Sequence, residues 1–192
     1  MSGTYPTTPE FRAINITSRH SNLVSETRSG RRQARSIGTQ RWAFTASYNP
    51  LTRAEFMPVY AFVISQDGQN STFTIVPPVI SDAQGSISGT MLVNGAHSIG
   101  DNTIAVDGFS GQIKAGDFVK FNGHSKVYMV TSDLTGAGTL NIIPSLVTAL
   151  GDNEAVAYDS VTFTMRLNND IQEYSLNTNE YYQFEVDMIE VV

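Results

Sequence analysis

The sequence predicts a mainly β protein with a single helix, built as a main domain interrupted by a smaller β-domain. Three observations carry this reading. Charged residues make up 16% of the 192 positions, against roughly 25% in an average soluble domain, while Thr, Ser, Asn and Gly abound. Apolar and polar residues alternate with period two in several stretches, early and late in the chain. Between Ser81 and about Asp159 the composition shifts to short apolar runs separated by glycine-bearing turns. The 41% hydrophobic content is enough for a packed core.

Phe11 to Thr17 reads as a strand, with Phe11, Ala13 and Asn15 on one face and Arg12, Ile14 and Ile16 on the other. Residues 18–40 hold few large apolar side chains beyond Leu23, Val24 and Ile37, and they centre on Ser29-Gly30. This predicts a long solvent-facing hairpin or arm with its turn there. Gln40 to Tyr48 is the clearest amphipathic strand, setting Trp42, Phe44, Ala46 and Tyr48 against Arg41, Ala43, Thr45 and Ser47.

Asn49-Pro50 breaks that strand, and Thr52-Arg53-Ala54-Glu55 has the Thr-x-x-Glu form that opens a helix. Phe56, Val59, Tyr60 and Val63 then fall on one helical face, predicting a helix over roughly 52–65 with a kink at Pro58. Asp67-Gly68 marks a turn, and Ser71 to Val76 alternates until Pro77-Pro78 stops it.

In the middle region the candidate strands are Asn102 to Val106, Phe118 to Phe121, Val127 to Thr131 and Thr139 to Ile143. Their spacing suits a small barrel or sandwich. Val161 to Leu167 and Tyr181 to Val191 return to strong alternation. Val161, Phe163, Met165 and Leu167 share one face, and Tyr182, Phe184, Val186, Met188 and Glu190 share another. These last strands pair with the first half, which gives a main domain of 8–80 plus 160–192 and an inserted β-domain of 81–159.

The chemistry is notable for what it excludes. With no cysteine there are no disulfides, thiolate metal sites or Cys nucleophiles. No apolar run approaches the roughly 18 residues of a membrane span, and Met1 to Glu10 lacks signal-peptide features, predicting a protein made and kept in the cytoplasm. His20, His97 and His124 have no metal-ligand spacing and read as exposed or turn-satisfied rings. Asp101, Asp107, Asp117 and Asp133 lack the spacing of a calcium loop and read as turn carboxylates. Gly85-Ser86-Ile87-Ser88-Gly89 only superficially has a nucleophile-elbow pattern, without a strand-to-helix context or an Asp and His in order. The expectation is therefore no catalytic residue, no metal and no cofactor.

Charge is distributed unevenly. Residues 1–66 carry eight Arg against three acids, a balance of +5, and residues 67–192 carry four bases against fifteen acids, a balance of −11. Arg28, Arg31, Arg32 and Arg35, with Arg41 nearby, are the most conspicuous cluster. Three readings are open for it. The guanidiniums bind phosphate, they dock onto an acidic surface of a neighbouring subunit, or they decorate a solvated hairpin. A net charge of −6 makes a poor general nucleic-acid binder, which favours docking.

Two stretches carry a family likeness. RSGRRQARSIGTQRWAFTASYNPLTRAEFMPVYAFV followed by STFTIVPPVISDAQG resembles the start of phage tail proteins that cap or join the tail tube. KAGDFVKFNGHSKVYMVTSD, with TLNIIPSL after it, resembles a small β-barrel module of phage virion proteins. The resemblance implies a discontinuous tail-tube-like β-sandwich or barrel domain with one helix, and an inserted small β-barrel. It also implies a homo-oligomer in the form of a hexameric ring around a channel, with other tail or baseplate proteins as partners and DNA at most passing through. The place would be the virion tail, assembled in the host cytoplasm. A carbohydrate- or host-surface-binding module of the tail tip, a head-tail joining protein and a tail-associated hydrolase are the competing readings. Phe109, Phe118, Phe121 and Tyr128 alternate as core residues do, which argues against an aromatic sugar platform.

Overall fold

The two alternating stretches around the basic segment become an antiparallel pair, β1 (Phe11–Arg19) and β4 (Arg41–Tyr48), extended by β2 (Asn22–Glu26) and β3 (Arg32–Ser36). In this computed structural model residues 3–192 are described. Met1 and Ser2, where the segment read as lacking a signal peptide begins, lie outside the described residues.

Along β1 the expected alternation is corrected by one bulge. The β1–β4 register shifts between Phe11 and Ala13, so Phe11 packs on the core with Ile14 and Ile16 instead of sharing a face with Ala13 and Asn15. On β4 the expected face holds, with Trp42, Phe44, Ala46 and Tyr48 all buried.

The helix α1 (Arg53–Ile64) follows the predicted span to within a residue at each end. The Thr52 backbone N–H and hydroxyl both donate to Glu55 Oε2, at 2.9 and 2.7 Å, which fixes the N-terminus. Pro58 removes one donor from the interior, yet the helix runs through it because Phe56, Val59 and Val63 are fully buried against the sheet. Burying each such side chain is worth about 1.5–3 kcal/mol, enough to offset the lost hydrogen bond.

The remaining strands are β5 (Phe73–Ile75), β6 (Ser88–Val93), β7 (Thr103–Ser110), β8 (Gln112–Ile113), β9 (Phe118–Phe121), β10 (Val127–Val130), β11 (Leu134–Thr135), β12 (Gly138–Ile143), β13 (Val156–Ala157), β14 (Phe163–Leu167), β15 (Tyr174–Leu176) and β16 (Tyr182–Glu190). The protein is mainly β. One sheet runs β1-β4-β16-β14-β5, with β15 paired to the start of β16. A second runs β13-β9-β10-β12-β7-β6, and its ends meet through the Leu92–Ala155 bridge, with Val93 donating to Glu154 at 2.9 Å and Asn153 to Val93 at 2.8 Å. The second sheet is thus a nearly closed barrel.

Glycine explains how the barrel's entry is possible. A Cβ on Gly85 would lie 1.8 Å from the Gln112 carbonyl oxygen, and one on Gly111 would lie 2.0 Å from that of Ser86. The segments at 85–87 and 111–113 therefore cross backbone against backbone, a contact no other residue permits. The Gly-x-Ser-x-Gly string is a packing device.

Each sheet has its own core, and the two cores touch. Phe118 of β9 and Val127 of β10 belong to the first core, while Val119, Phe121 and Tyr128 belong to the barrel. Trp42 meets Phe118 edge-on at 5.0 Å, and Phe118 meets Phe163 at 5.4 Å. The β9–β10 hairpin is therefore buried on both faces, so Phe118 on the one hand and Phe121 and Tyr128 on the other, read from the sequence as alternating core residues, enter two different cores. Helix α1 covers the rest of the same face of the first sheet, with Phe56 against Tyr182 at 4.7 Å and Phe184 at 5.6 Å. The opposite face, carrying residues such as Asn15, Thr17, Thr45, Ser47, Gln183 and Glu185, is polar.

Candidate functional site

The arm is the chemical feature singled out by the sequence, and it stands clear of both cores. Every residue of β2 and β3 is exposed. Its turn closes with Thr27 donating to Arg31 at 3.0 Å and Gly30 to Thr27 at 2.8 Å. Gly30 sits at φ +79°, in the region that side chains with a Cβ avoid. Arg28 and Arg31 lie at this tip. Arg32 stands opposite Glu26 and Arg35 opposite Leu23, so strand alternation sends Arg32 and Arg35 to opposite faces.

Arg41 is not on the arm. It opens β4 directly across from Arg19, where two like charges face each other at the arm's base. The cluster is thus divided into a tip, two faces and a base. Among the described residues no ion pair involves Arg28, Arg31, Arg32, Arg35 or Arg41.

Beneath the arm lies a buried polar joint that sequence reasoning missed. Lys126, immediately before β10, forms an ion pair with Glu190 at the end of β16, and both side chains have no solvent exposure. The Glu190 carboxylate also accepts the Trp42 N–H at 3.1 Å and the Val127 N–H at 2.8 Å. Lys126 Nζ donates to Gln40 Oε1 at 2.9 Å, and Gln40 Nε2 donates to Ser18 Oγ at 2.9 Å. The Trp42 indole N–H donates to the Val127 carbonyl at 2.9 Å. One ion pair therefore ties together β1, β4, β16 and the barrel.

Burial pushes the Lys126 ammonium below its ordinary range, and the Glu190 carboxylate beside it works in the other direction. Such a pair adds little net stability over an apolar substitute, but losing one partner leaves a buried charge unmatched. The sequence held one signal. Glu190 continues the apolar face of Tyr182, Phe184, Val186 and Met188, a carboxylate in a place that demands a partner.

The other candidates resolve into local structure. Asp117 accepts from Gln84 and Lys114 at 3.0 and 2.9 Å, Asp133 from Ala115 at 2.9 Å, and Asp101 from Ser98 at 2.8 Å, as turn carboxylates do. Two of the three histidines depart from the expectation of exposed or turn-satisfied rings. His20 is exposed, but His97 Nε2 accepts the Ala105 N–H at 3.1 Å and His124 Nε2 lies 3.1 Å from Glu154 with its ring mostly buried. Barrel closure at 153–155 brings Glu154 over the 122–124 turn, a contact invisible to local spacing. Among the described residues no group of His, Asp and Glu has the arrangement of a metal site.

Residues 79–161 match the family model described as the distal tail protein pb9, B domain. This stretch, less than half of the chain, is similar to a domain of a bacteriophage distal tail protein, and the similarity supports a structural role in a phage tail. No curated protein matches the chain.

Proposed function

We propose that the chain forms or caps a ring of the phage tail tube or baseplate and joins neighbouring tail proteins to it, without catalysing a reaction. In this reading a main domain of 8–80 and 160–192 builds the wall of a homo-hexameric ring, and the inserted domain of 81–159 projects from it as a contact surface. Arg28, Arg31, Arg32, Arg35 and Arg41 are its inter-subunit contacts. The observation that carries the reading is the arm. It is fully exposed, it is rich in guanidiniums that form no ion pair among the described residues, and it sits on a protein whose other half is acidic.

A ring needs two different complementary surfaces on each subunit, and a basic arm on an acidic body supplies them. Negative-stain microscopy of the purified protein tests this directly. Closed rings of uniform diameter are expected, and a field of single particles of monomer size at every concentration would sink the reading.

A further inference from the structure

The arm needs a receiving surface, and one groove on the first sheet has the matching character. It measures about 670 Å³ and lies on the polar face of that sheet, roofed by the loop into β15. Glu173, Glu185 and Asp187 line it against a single cation, Arg12, and Ile171 and Tyr174 form an apolar rim at 83% and 40% exposure. Asp187 already accepts from Thr45 at 2.5 Å, whereas neither Glu173 nor Glu185 takes part in an ion pair among the described residues. The arm repeats this mixture with opposite sign. Its guanidiniums are interleaved with Leu23 and Val24, which are 60% and 46% exposed.

Position supports the match as well as charge. β4 starts at the arm's base with Arg41 and ends in the groove with Ser47 and Tyr48, so the two features lie at opposite ends of one strand, about 20 Å apart. The arm extends roughly 25 Å beyond the base. A hairpin cannot fold back along its own sheet to reach that groove, but a second copy displaced along the strand direction presents its groove to the first copy's tip.

We propose that the Arg28–Arg35 arm of one copy seats in the Glu173–Glu185 groove of the next copy, a head-to-tail contact between identical chains. This rests on the reading of the arm as an inter-subunit contact and adds where it lands. Because the contact is heterologous, every copy offers one free arm and one free groove, and the series continues until a rotation closes it or another tail protein ends it. Arg forks against carboxylates make the contact dependent on salt.

The test is a charge swap in the full chain, followed by sedimentation velocity over a range of concentrations and by circular dichroism to confirm folding. The first variant carries Arg28→Glu, Arg31→Glu, Arg32→Glu and Arg35→Glu. The second carries Glu173→Lys and Glu185→Lys, and the third combines all six. All substituted positions are exposed, so folding should persist. Each single-sided reversal is expected to weaken association about tenfold or more, and the combined variant to recover to within about threefold of the parent. If arm reversal breaks association while groove reversal does not, the arm lands elsewhere; this proposal is overturned and the arm's role as a contact stands. Failure of the combined variant to recover overturns it equally. A parent chain that stays monomeric throughout, or an arm reversal without effect, removes both readings.

Discussion

The arm and the barrel are made of the same element, the antiparallel β-hairpin, and they handle charge in opposite ways. In the barrel, hairpin β9–β10 is buried on both faces, and Lys126, just before β10, is matched by a carboxylate and an amide with no contact to water. In the arm, hairpin β2–β3 is exposed on both faces, and among the described residues its arginines form no ion pair, although Arg32 stands across from Glu26. A two-stranded hairpin alone is marginal in water. The barrel hairpin borrows stability from two cores, while the arm has none to borrow until something packs on it. Stability therefore rests on the barrel hairpin and not on the arm, and under the proposed function assembly rests on the arm, so each should be open to disturbance without the other.

The largest effect should come from unmatching the joint. Lys126→Met leaves Glu190 as a buried lone charge and should cost about 3–5 kcal/mol in urea unfolding. Adding Glu190→Gln should recover at least about 1 kcal/mol, because the amide oxygen still accepts one of the two backbone N–H groups. If the single variant loses less than about 1 kcal/mol, the joint does not hold the two sheets together.

A second effect is set by alkaline pH. The Tyr48 hydroxyl donates to that of Tyr5 at 3.1 Å, and burial pushes Tyr48 from 10.0 up to about 12 and Tyr5 up as well. A phenol with a raised folded pKa contributes stability in full below its unfolded value, and that contribution is lost as pH rises through the folded one. Tyr48 alone should withdraw about 2–3 kcal/mol between pH 10 and 12. The lowered Lys126 has the opposite sign, its cost fading as pH approaches the ordinary 10.5, so net destabilisation should set in above that value. Denaturant midpoints at about pH 9 and pH 11.5 measure it, and Tyr48→Phe should flatten the difference.

The smaller effects belong to the arm. Reversing its four arginines to Glu should move the unfolding free energy by less than about 0.5 kcal/mol, since surface changes away from a core are near neutral. Gly30→Ala has open space around the new Cβ but forces φ +79° on alanine. The strain of about 1–2 kcal/mol should loosen the turn's amide protection in hydrogen exchange while leaving the global midpoint unmoved. A coupled fall in global stability from either change would break the separation between the two hairpins.

Much of this division could be read from the residues, because it rests on local patterns. Period-two alternation located β4, β14 and β16, the Thr52 and Glu55 pairing located the helix start, and the absence of apolar side chains around Gly30 located the arm. What escaped were features made by distant contacts. The closing strands β8, β11 and β13 are two residues each, too short to show a period, and the barrel is sealed by backbone bonds at 153–155. Lys126 follows Gly123-His124-Ser125, and nothing in that local sequence marks it as buried. Only the fold reveals that 64 positions later a carboxylate waits for it. Phe11 misled in a smaller way, since a bulge shifts the phase of a strand without leaving a mark in its composition.

The joint also contains the chain's sole tryptophan, with its indole N–H bonded to Val127 and the Lys126 ammonium 5.8 Å from its ring. Its fluorescence therefore comes from a single known place, the seam where sheet and barrel meet. Emission should remain blue, as for an indole shielded from water, when the arm is altered or engaged, and should move to the red only when the seam opens. The molecule thus carries its own optical probe, one that distinguishes separation of its halves from events at the arm's tip without any added label.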